Sequence, residues 1–113
     1  IRLIRYADVL LINAEAKVRL GQNGDATFNL VRARAAMPAI TGVTLDQIID
    51  ERRMEFAGEW GERYNDLIRT GKAASVLQGN PNKNGWTTDK TYFPLPFNQI
   101  DQVPALKNTP KNN

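Results

Sequence analysis

Two carboxylates one helical turn apart, Glu51 and Glu55, are the side chains of this sequence best suited to chemistry. Paired carboxylates serve as acid and base in glycosidases, and together with Asp66 they could offer oxygen ligands to a divalent cation. On an isolated helix, like charges at this spacing repel by about 0.2–0.5 kcal/mol, so they need cations from elsewhere. The sequence therefore poses a choice between a reactive pair and an ion-pair network.

Nearby arginines favour the ion-pair network. The cations that we expect to neutralise the two glutamates are Arg5, Arg63 and Arg69. Asp66 stands three residues from two of them and can orient either guanidinium through paired hydrogen bonds. A general acid needs a raised pKa and a cleft, and neighbouring arginines oppose a divalent cation. We therefore predict no catalytic and no metal-binding residue. The predicted structural ion-pair network comprises Arg5, Glu51, Arg52, Glu55, Arg63, Asp66 and Arg69.

The first helix is predicted over residues 1–20, which contain no glycine or proline and carry apolar side chains at spacings of three and four. Val9 and Ile12 widen this apolar stripe, so we expect the helix to be buried on more than one side. Tyr6 lies at a helix-face position and is expected to fill the core. Gly21 then supplies the left-handed residue at which many helices end.

A second helix is predicted over residues 26–36, with Asp25 as its capping residue. Its core face would comprise Ala26, Leu30 and Val31. Because only a short turn separates it from the first helix, the two must pack as an antiparallel pair, as in helical-repeat units.

The predicted network lies mainly on a third and a fourth helix, over residues 45–57 and 62–70. Thr44 and Gln47 form a capping box at the start of the third helix, and Gly71 ends the fourth. The residues that we expect to face the core are Leu45, Ile48, Ile49, Arg52 (through its stem), Phe56, Tyr64, Leu67 and Ile68.

The chain changes character beyond these helices. Trp60 lies close to two glycines and is expected to pack at the corner before the fourth helix. A short helical continuation after the fourth helix is predicted over residues 72–77. Residues 78–113 are rich in proline and asparagine and should form an irregular extension, with a single turn expected over residues 99–101. Two prolines within residues 92–97 exclude a central strand there. We therefore predict one all-α domain, helical over residues 1–77 and extended or looped afterwards.

Composition excludes several kinds of chemistry. The 113-residue sequence contains no cysteine and no histidine, so disulfides, thiolate nucleophiles and Cys/His zinc sites are impossible. Its 15 basic and 12 acidic residues give a net charge of +3. These charges are dispersed, so we predict no nucleic-acid partner, and we predict no cofactor. No stretch approaches the roughly 20 apolar residues of a membrane span.

Four segments, residues 5–16, 31–35, 51–71 and 92–96, resemble the C-terminal portion of the SusD/RagB family in order and approximate spacing. The Glu-Arg-Arg element and the Arg-Tyr-x-Asp-Leu-x-Arg-x-Gly element are specific when they occur together. The chain departs from the family pattern at Ala36, where glycine is usual, so we expect a different cap at the end of the second helix.

The resemblance implies a mostly helical protein in which the first two helices are the last tetratricopeptide-like pair. It also implies a non-catalytic lipoprotein of the bacterial outer membrane that binds glycans or other nutrients and works with a SusC-like, TonB-dependent porin. The lipid-bearing cysteine of the family has no counterpart here, so membrane attachment is expected only through an anchor absent from this fragment. The chain begins at Ile1 rather than Met, and we expect it to be a piece of a longer protein.

Ligand-binding residues cannot be carried over from the family. Trp86, in a polar loop, is the one candidate for stacking on a sugar, although tryptophans in surface loops more often fold back over the core. A different hypothesis is a helical-repeat scaffold that binds another protein, supported by the small side chains Ala33 and Ala35 on the second helix.

Overall fold

The computed structural model describes residues 4–59, 62–83, 85–91, 95–103 and 105–106. Within these ranges the chain forms helices and turns without a strand, which confirms the all-α fold class. It divides into two compact units, Ile1–Asp66 and Leu67–Asn113. The helices are α1 (Tyr6–Arg19), α2 (Asp25–Arg34), α3 (Leu45–Glu55), α4 (Glu62–Arg69), α5 (Ala73–Leu77) and α6 (Phe97–Gln102).

Helix α1 begins at Tyr6, later than predicted, because Arg5 is its N-cap in an extended conformation (φ −102°, ψ 156°). Residues 1–3 of the predicted helix lie outside the described residues. The helix ends as predicted, since Gly21 has φ +71° and the Gln22 N–H donates to the Lys17 carbonyl oxygen at 2.8 Å. This left-handed cap satisfies carbonyl groups that the last helical turn would otherwise leave without donors.

One face of α1 is buried and the opposite face is exposed. Leu11 and Ala14 are fully buried in the core, whereas Tyr6 is 73% exposed and Val9 and Ile12 are about half exposed. The expectations that α1 is buried on more than one side and that Tyr6 fills the core are therefore wrong for the described chain. The reason is that the helices packed on α1, which are α2 and α3, cover a single stripe of it.

Asp25 does not cap α2 as predicted, because the N-cap is Gly24 and Asp25 is the first helical residue. The Asn23 side-chain oxygen accepts the Asp25 N–H at 2.8 Å. The Asp25 carboxylate instead accepts hydrogen bonds from the N–H groups of Gly42 and Val43, each at 2.9 Å. One carboxylate at the start of α2 thus fixes the loop that leads into α3.

These bonds make Asp25 a source of pH-dependent stability. The hydrogen bond from Val43 and then that from Gly42 hold the pKa of Asp25 below its usual value. A carboxyl whose pKa is lower in the folded state stabilises the fold above its unfolded pKa, and this contribution is lost as the pH falls through the folded pKa. We expect Asp25→Asn to be less stable than the unsubstituted chain at pH 7, with the difference shrinking below about pH 4. Urea unfolding at a series of pH values measures this, and a difference independent of pH would contradict it.

The predicted core face of α2 is corrected at two of its three positions. Val31 is buried as expected, but Ala26 is exposed and Leu30 is 55% exposed. Phe28 takes their place and is completely buried. Gly24 allows α2 to approach α1 closely, since an added Cβ there would lie 2.8 Å from the Ala14 carbonyl oxygen.

Helix α2 ends with the same hydrogen-bond pattern as α1, although no glycine is present. The Met37 N–H donates to the Arg32 carbonyl oxygen at 2.9 Å and the Ala36 N–H to the Ala33 carbonyl oxygen at 3.1 Å. Ala36 has φ +54°, the one described non-glycine residue with positive φ. The expected different cap is therefore wrong, because the chain keeps the left-handed cap and places an alanine in it.

We expect Ala36→Gly to stabilise the chain by about 0.5–1 kcal/mol. The left-handed conformation costs an L-residue about 1–2 kcal/mol, and glycine avoids this cost in the folded chain. Glycine also has more conformational freedom in the unfolded chain, which offsets part of the stabilisation. The matched control is Ala35→Gly, because Ala35 has an ordinary φ of −87° and should lose stability. Urea unfolding checks both variants, and a neutral or destabilising Ala36→Gly would contradict the assignment of strain.

Helix α3 follows the sequence prediction closely at its start. Thr44 accepts the Gln47 N–H at 3.3 Å, and the Gln47 side chain accepts the Thr44 N–H at 2.9 Å, which confirms the capping box. The helix ends at Glu55, two residues earlier than predicted, and Leu45 is half-buried. The predicted core residues of this helix region that are buried are Ile48, Ile49, Arg52 and Phe56.

Helix α4 ends as predicted, since Gly71 has φ +71° and the Lys72 N–H donates to the Leu67 carbonyl oxygen at 2.9 Å. Leu67 is buried, whereas Tyr64 and Ile68 are half-buried. Helix α5 corresponds to the predicted helical continuation.

Beyond α5, the described part of the second unit contains 3₁₀ turns at Pro81–Lys83 and Thr88–Thr91 and the short helix α6. Helix α6 lies inside the segment predicted as irregular and includes residues 99–101, where a single turn was expected. Its first residue, Phe97, is 76% exposed. Residues 92–94 lie outside the described residues. No helix in the described ranges is long and apolar enough to span a bilayer.

Candidate functional site: a charged cluster at the end of α3

The first unit contains a buried guanidinium with several carboxylate partners. Arg52 on α3 and Asp66 on α4 are 4% and 2% exposed, and Arg52 Nε donates to Asp66 Oδ2 at 2.9 Å. Arg52 also donates through Nη1 to Asp8 Oδ1 at 2.5 Å and through Nη2 to Glu62 Oε2 at 3.3 Å. One side chain therefore joins α1, α3 and α4, using the several donors that a guanidinium offers in one plane.

The carboxylates around Arg52 keep it charged. Burial by itself lowers the pKa of Arg52, but hydrogen bonds to Asp8 and Asp66, together with their negative charge, outweigh it and raise the pKa above its usual value. A buried charge costs several kcal/mol of desolvation, which is recovered only when partners and hydrogen bonds are in place. The Arg52 cluster fulfils this condition.

A second group of charges surrounds Glu55 at the C-terminal end of α3. Arg5 Nη2 lies 3.0 Å from carboxylate oxygens of both Glu55 and Glu59, and it donates to the Glu55 carbonyl oxygen at 2.9 Å. From α2, Arg34 Nη2 contacts both Glu55 carboxylate oxygens at 2.8 Å. Two elements distant in sequence thus hold the same carboxylate.

The ring of Phe56 connects these two groups of charges. The Arg5 guanidinium carbon lies 4.9 Å from the ring centroid, and that of Arg52 lies 5.2 Å from it. A guanidinium over an aromatic face is attracted by the ring quadrupole. Phe56 is buried, so the ring supports both cations from the core side.

Glu51 pairs with an arginine of α2. Arg32 Nη1 lies 2.7 Å from Glu51 Oε2, and the two side chains are 13% and 14% exposed. Arg32 Nε also donates to the Pro38 carbonyl oxygen at 2.7 Å, and the guanidinium lies 5.8 Å from the ring centroid of Phe28. This pair ties α2, its following loop and α3 together.

The structure therefore changes the expected partners within the predicted network. Arg63 pairs with neither glutamate among the described residues, because α2 and Arg5 supply the cations that reach them. Arg69 lies in the second unit, so its pairing with the glutamates stays a prediction. The predicted network members that form ion pairs in the structure are Arg5, Glu51, Arg52, Glu55 and Asp66.

Sequence reasoning missed several members of the cluster, namely Asp8, Arg32, Arg34, Glu59 and Glu62. A signal for two of them was available, because residues 31–35, which carry part of the family resemblance, place two arginines in the last turn of α2. No comparable pattern marked Asp8, whose partner Arg52 is 44 residues away.

The geometry of the cluster suits cross-linking of helices. Glu51 and Glu55 each contact a guanidinium from another element, so each glutamate connects two parts of the first unit. Among the described residues, no group of three or more acidic side chains is arranged to hold a metal ion. That the cluster has an architectural role and no catalytic one remains a prediction.

A cleft of about 280 Å³ adjoins the cluster in the first unit. It is bounded by the end of α3, the following turn and the start of α4, and we call it the corner cleft. Its described lining residues are Arg52, Arg53, Met54, Phe56, Ala57, Gly58, Glu59, Glu62 and Arg63. Trp60, expected at this corner, lies outside the described residues.

The candidate sugar contact Trp86 lies in the second unit, between the two 3₁₀ turns, and is half-buried. The neighbouring Gly85 carbonyl oxygen accepts a hydrogen bond from Lys90 Nζ. A ligand contact at Trp86 remains a proposal.

Comparison with known proteins places this architecture in a family. A SusD-like protein of Formosa agariphila is 37% identical over 93% of the chain, and a SusD-like protein of Bacteroides ovatus is 41% identical over 56% of it. The solved structure of surface glycan-binding protein A from Bacteroides thetaiotaomicron, in complex with laminarihexaose, aligns with a TM-score of 0.80 and 43% identity over 93% of the chain.

The chain is much shorter than these relatives. It spans 23% of the length of the Formosa agariphila protein and likewise 23% of the solved glycan-binding protein. Residues 1–111 match the sequence profile of the SusD family. The chain therefore belongs to the SusD family and corresponds to the C-terminal portion of its members.

Proposed function

We propose that this chain is the C-terminal portion of a non-catalytic protein that binds glycans or other nutrients for uptake. The observation that carries the proposal is the alignment of 93% of the chain, at 43% identity and a TM-score of 0.80, with a protein described as glycan-binding. The paired state of Glu51 and Glu55 supports the absence of catalysis.

Membership of the SusD family supports a proposal for the partner and the cellular location of the parent protein. SusD-family proteins bind glycan, function with SusC-like porins and are associated with the outer membrane. For the parent of this chain we propose a SusC-like, TonB-dependent porin as partner and attachment to the outer membrane through a lipid. Trp86 is proposed as a surface aromatic that contacts the ligand.

Calorimetric titration of the full parent protein with a panel of oligosaccharides tests the proposal. The panel should include laminarihexaose and hexaoses of other linkages, each followed by chromatography of the sugar. We expect saturable binding of at least one glycan, with the sugar recovered intact. Hydrolysed sugar would contradict the non-catalytic function, and failure to bind across the panel would shift the ligand to peptides or other nutrients.

A second candidate function is a scaffold for another protein, and the exposed apolar face of the helix pair favours it. Tyr6, Val9 and Ile12 on α1 and Leu30 on α2 are exposed in the described chain. This alternative predicts a stable complex with a protein other than a porin. It also predicts no heat in any of the glycan titrations.

A further inference from the structure

One cation in the corner cleft has no counter-charge. Arg63, at the start of α4, is half-buried, and its Nη1 atom is buried without a hydrogen-bond acceptor. The other charged side chains of the lining are each in an ion pair, and they are Arg52, Arg53, Glu59 and Glu62. Arg63 is thus the one described lining charge without an opposite partner.

The buried Nη1 atom of Arg63 needs a hydrogen-bond acceptor that is not among the described residues. A buried donor on a charged group costs free energy when it has no partner, and native proteins satisfy the great majority of such groups. The planar fork of a guanidinium matches a carboxylate through two parallel hydrogen bonds.

We propose that Arg63 binds a carboxylate side chain from the part of the parent polypeptide that precedes Ile1. The inference rests on the assignment of the chain as the C-terminal portion of a longer protein. The two relatives covered at 23% of their length carry about three-quarters of their residues outside the matched region. The cleft of about 280 Å³ is large enough to admit a carboxylate side chain.

Hydrogen–deuterium exchange on the full parent protein tests the proposal. The test variant is Arg63→Ala, and the matched control is Arg53→Ala, which removes another arginine of the same cleft that already has its partner in Asp50. We expect Arg63→Ala to accelerate exchange by about tenfold or more in a segment that precedes Ile1, in addition to any change near α4. The control should leave that preceding segment unchanged.

Three results would overturn the proposal. One is acceleration confined to the corner cleft, which would make Arg63 a local structural residue, and another is an equal effect of the two variants. The third is protection of the unsubstituted parent, but not of Arg63→Ala, by glucuronate, which would show that the carboxylate comes from a ligand. If Arg63→Ala does not fold, Arg63→Gln carries the same test. The glycan titration uses the unsubstituted parent and does not depend on Arg63 variants. A failure of the proposed glycan-binding function would therefore be distinguished from a failure of the Arg63 proposal.

Discussion

Replacing Arg52 with alanine should destabilise the chain by about 3–5 kcal/mol, the range measured when one partner of a buried ion pair is removed. The substitution leaves Asp66, which is 2% exposed, without the guanidinium that bonds it at 2.9 Å. It also removes the cation that Asp8 contacts on α1. The measurement is equilibrium unfolding in urea, compared with the unsubstituted chain.

Two further variants separate this effect from a general loss of charge. Arg53→Ala removes the next residue, whose ion pair with Asp50 is exposed and has a distance of 3.5 Å, so we expect a change within about 0.5 kcal/mol. Arg52→Lys retains the charge but lacks the planar fork that serves several carboxylates, and it should restore only part of the stability. Equal losses in Arg52→Ala and Arg53→Ala would contradict a central role for Arg52.

Phe28→Ala is expected to cost about 3–5 kcal/mol as well, because a large buried ring is replaced by a cavity. Phe28 is fully buried in a core cluster that includes Leu11 on α1 and Ile48 on α3. The ring also supports the guanidinium of Arg32. Urea unfolding measures the loss.

The matched control lies on the other face of the same helix. Leu30 is 55% exposed, and we expect Leu30→Ala to change the stability of the chain by less than about 0.5–1 kcal/mol. The pair of variants tests the corrected orientation of α2. A larger loss for Leu30→Ala than for Phe28→Ala would mean that the helix faces the core as first predicted.

Helix ends were the most predictable part of the fold. Gly21 and Gly71 end α1 and α4 through left-handed caps, and Thr44 with Gln47 begins α3. These signals are local, because the residue type itself supplies the conformation or the hydrogen bond. Asp25 shows the limit of such reasoning. Its carboxylate accepts hydrogen bonds from the N–H groups of residues 42 and 43, which are distant in sequence, whereas the Asn23 side chain accepts the local N–H of Asp25.

The face of a helix that meets the core was less predictable. On the ten residues of α2, Leu30 and Phe28 offer two apolar faces, and periodicity alone cannot rank them. The ranking depends on which neighbours are present, and α1 and α3 lie on the Phe28 side. The same reason explains why Val9 and Ile12 remain exposed on α1.

Charge types in the candidate site could be predicted, but not the pairs that they form. Two glutamates one turn apart require cations, and the structure supplies them. The choice of Arg32 for Glu51 depends on how α2 packs on α3, a contact across 19 residues of sequence. One sequence without its three-dimensional packing contains no signal that would prefer this arginine to Arg63.

A double-mutant cycle between Arg32 and Glu51 tests most directly whether these carboxylates serve the architecture of the protein. The cycle compares urea unfolding of the unsubstituted chain, Arg32→Ala, Glu51→Gln and the double variant, so that the bond of Arg32 to Pro38 and its contact with Phe28 cancel. Because the pair is 2.7 Å apart and mostly buried, we predict a coupling free energy of about 1–2 kcal/mol. A coupling near zero, with unchanged stability of Glu51→Gln, would contradict the structural role.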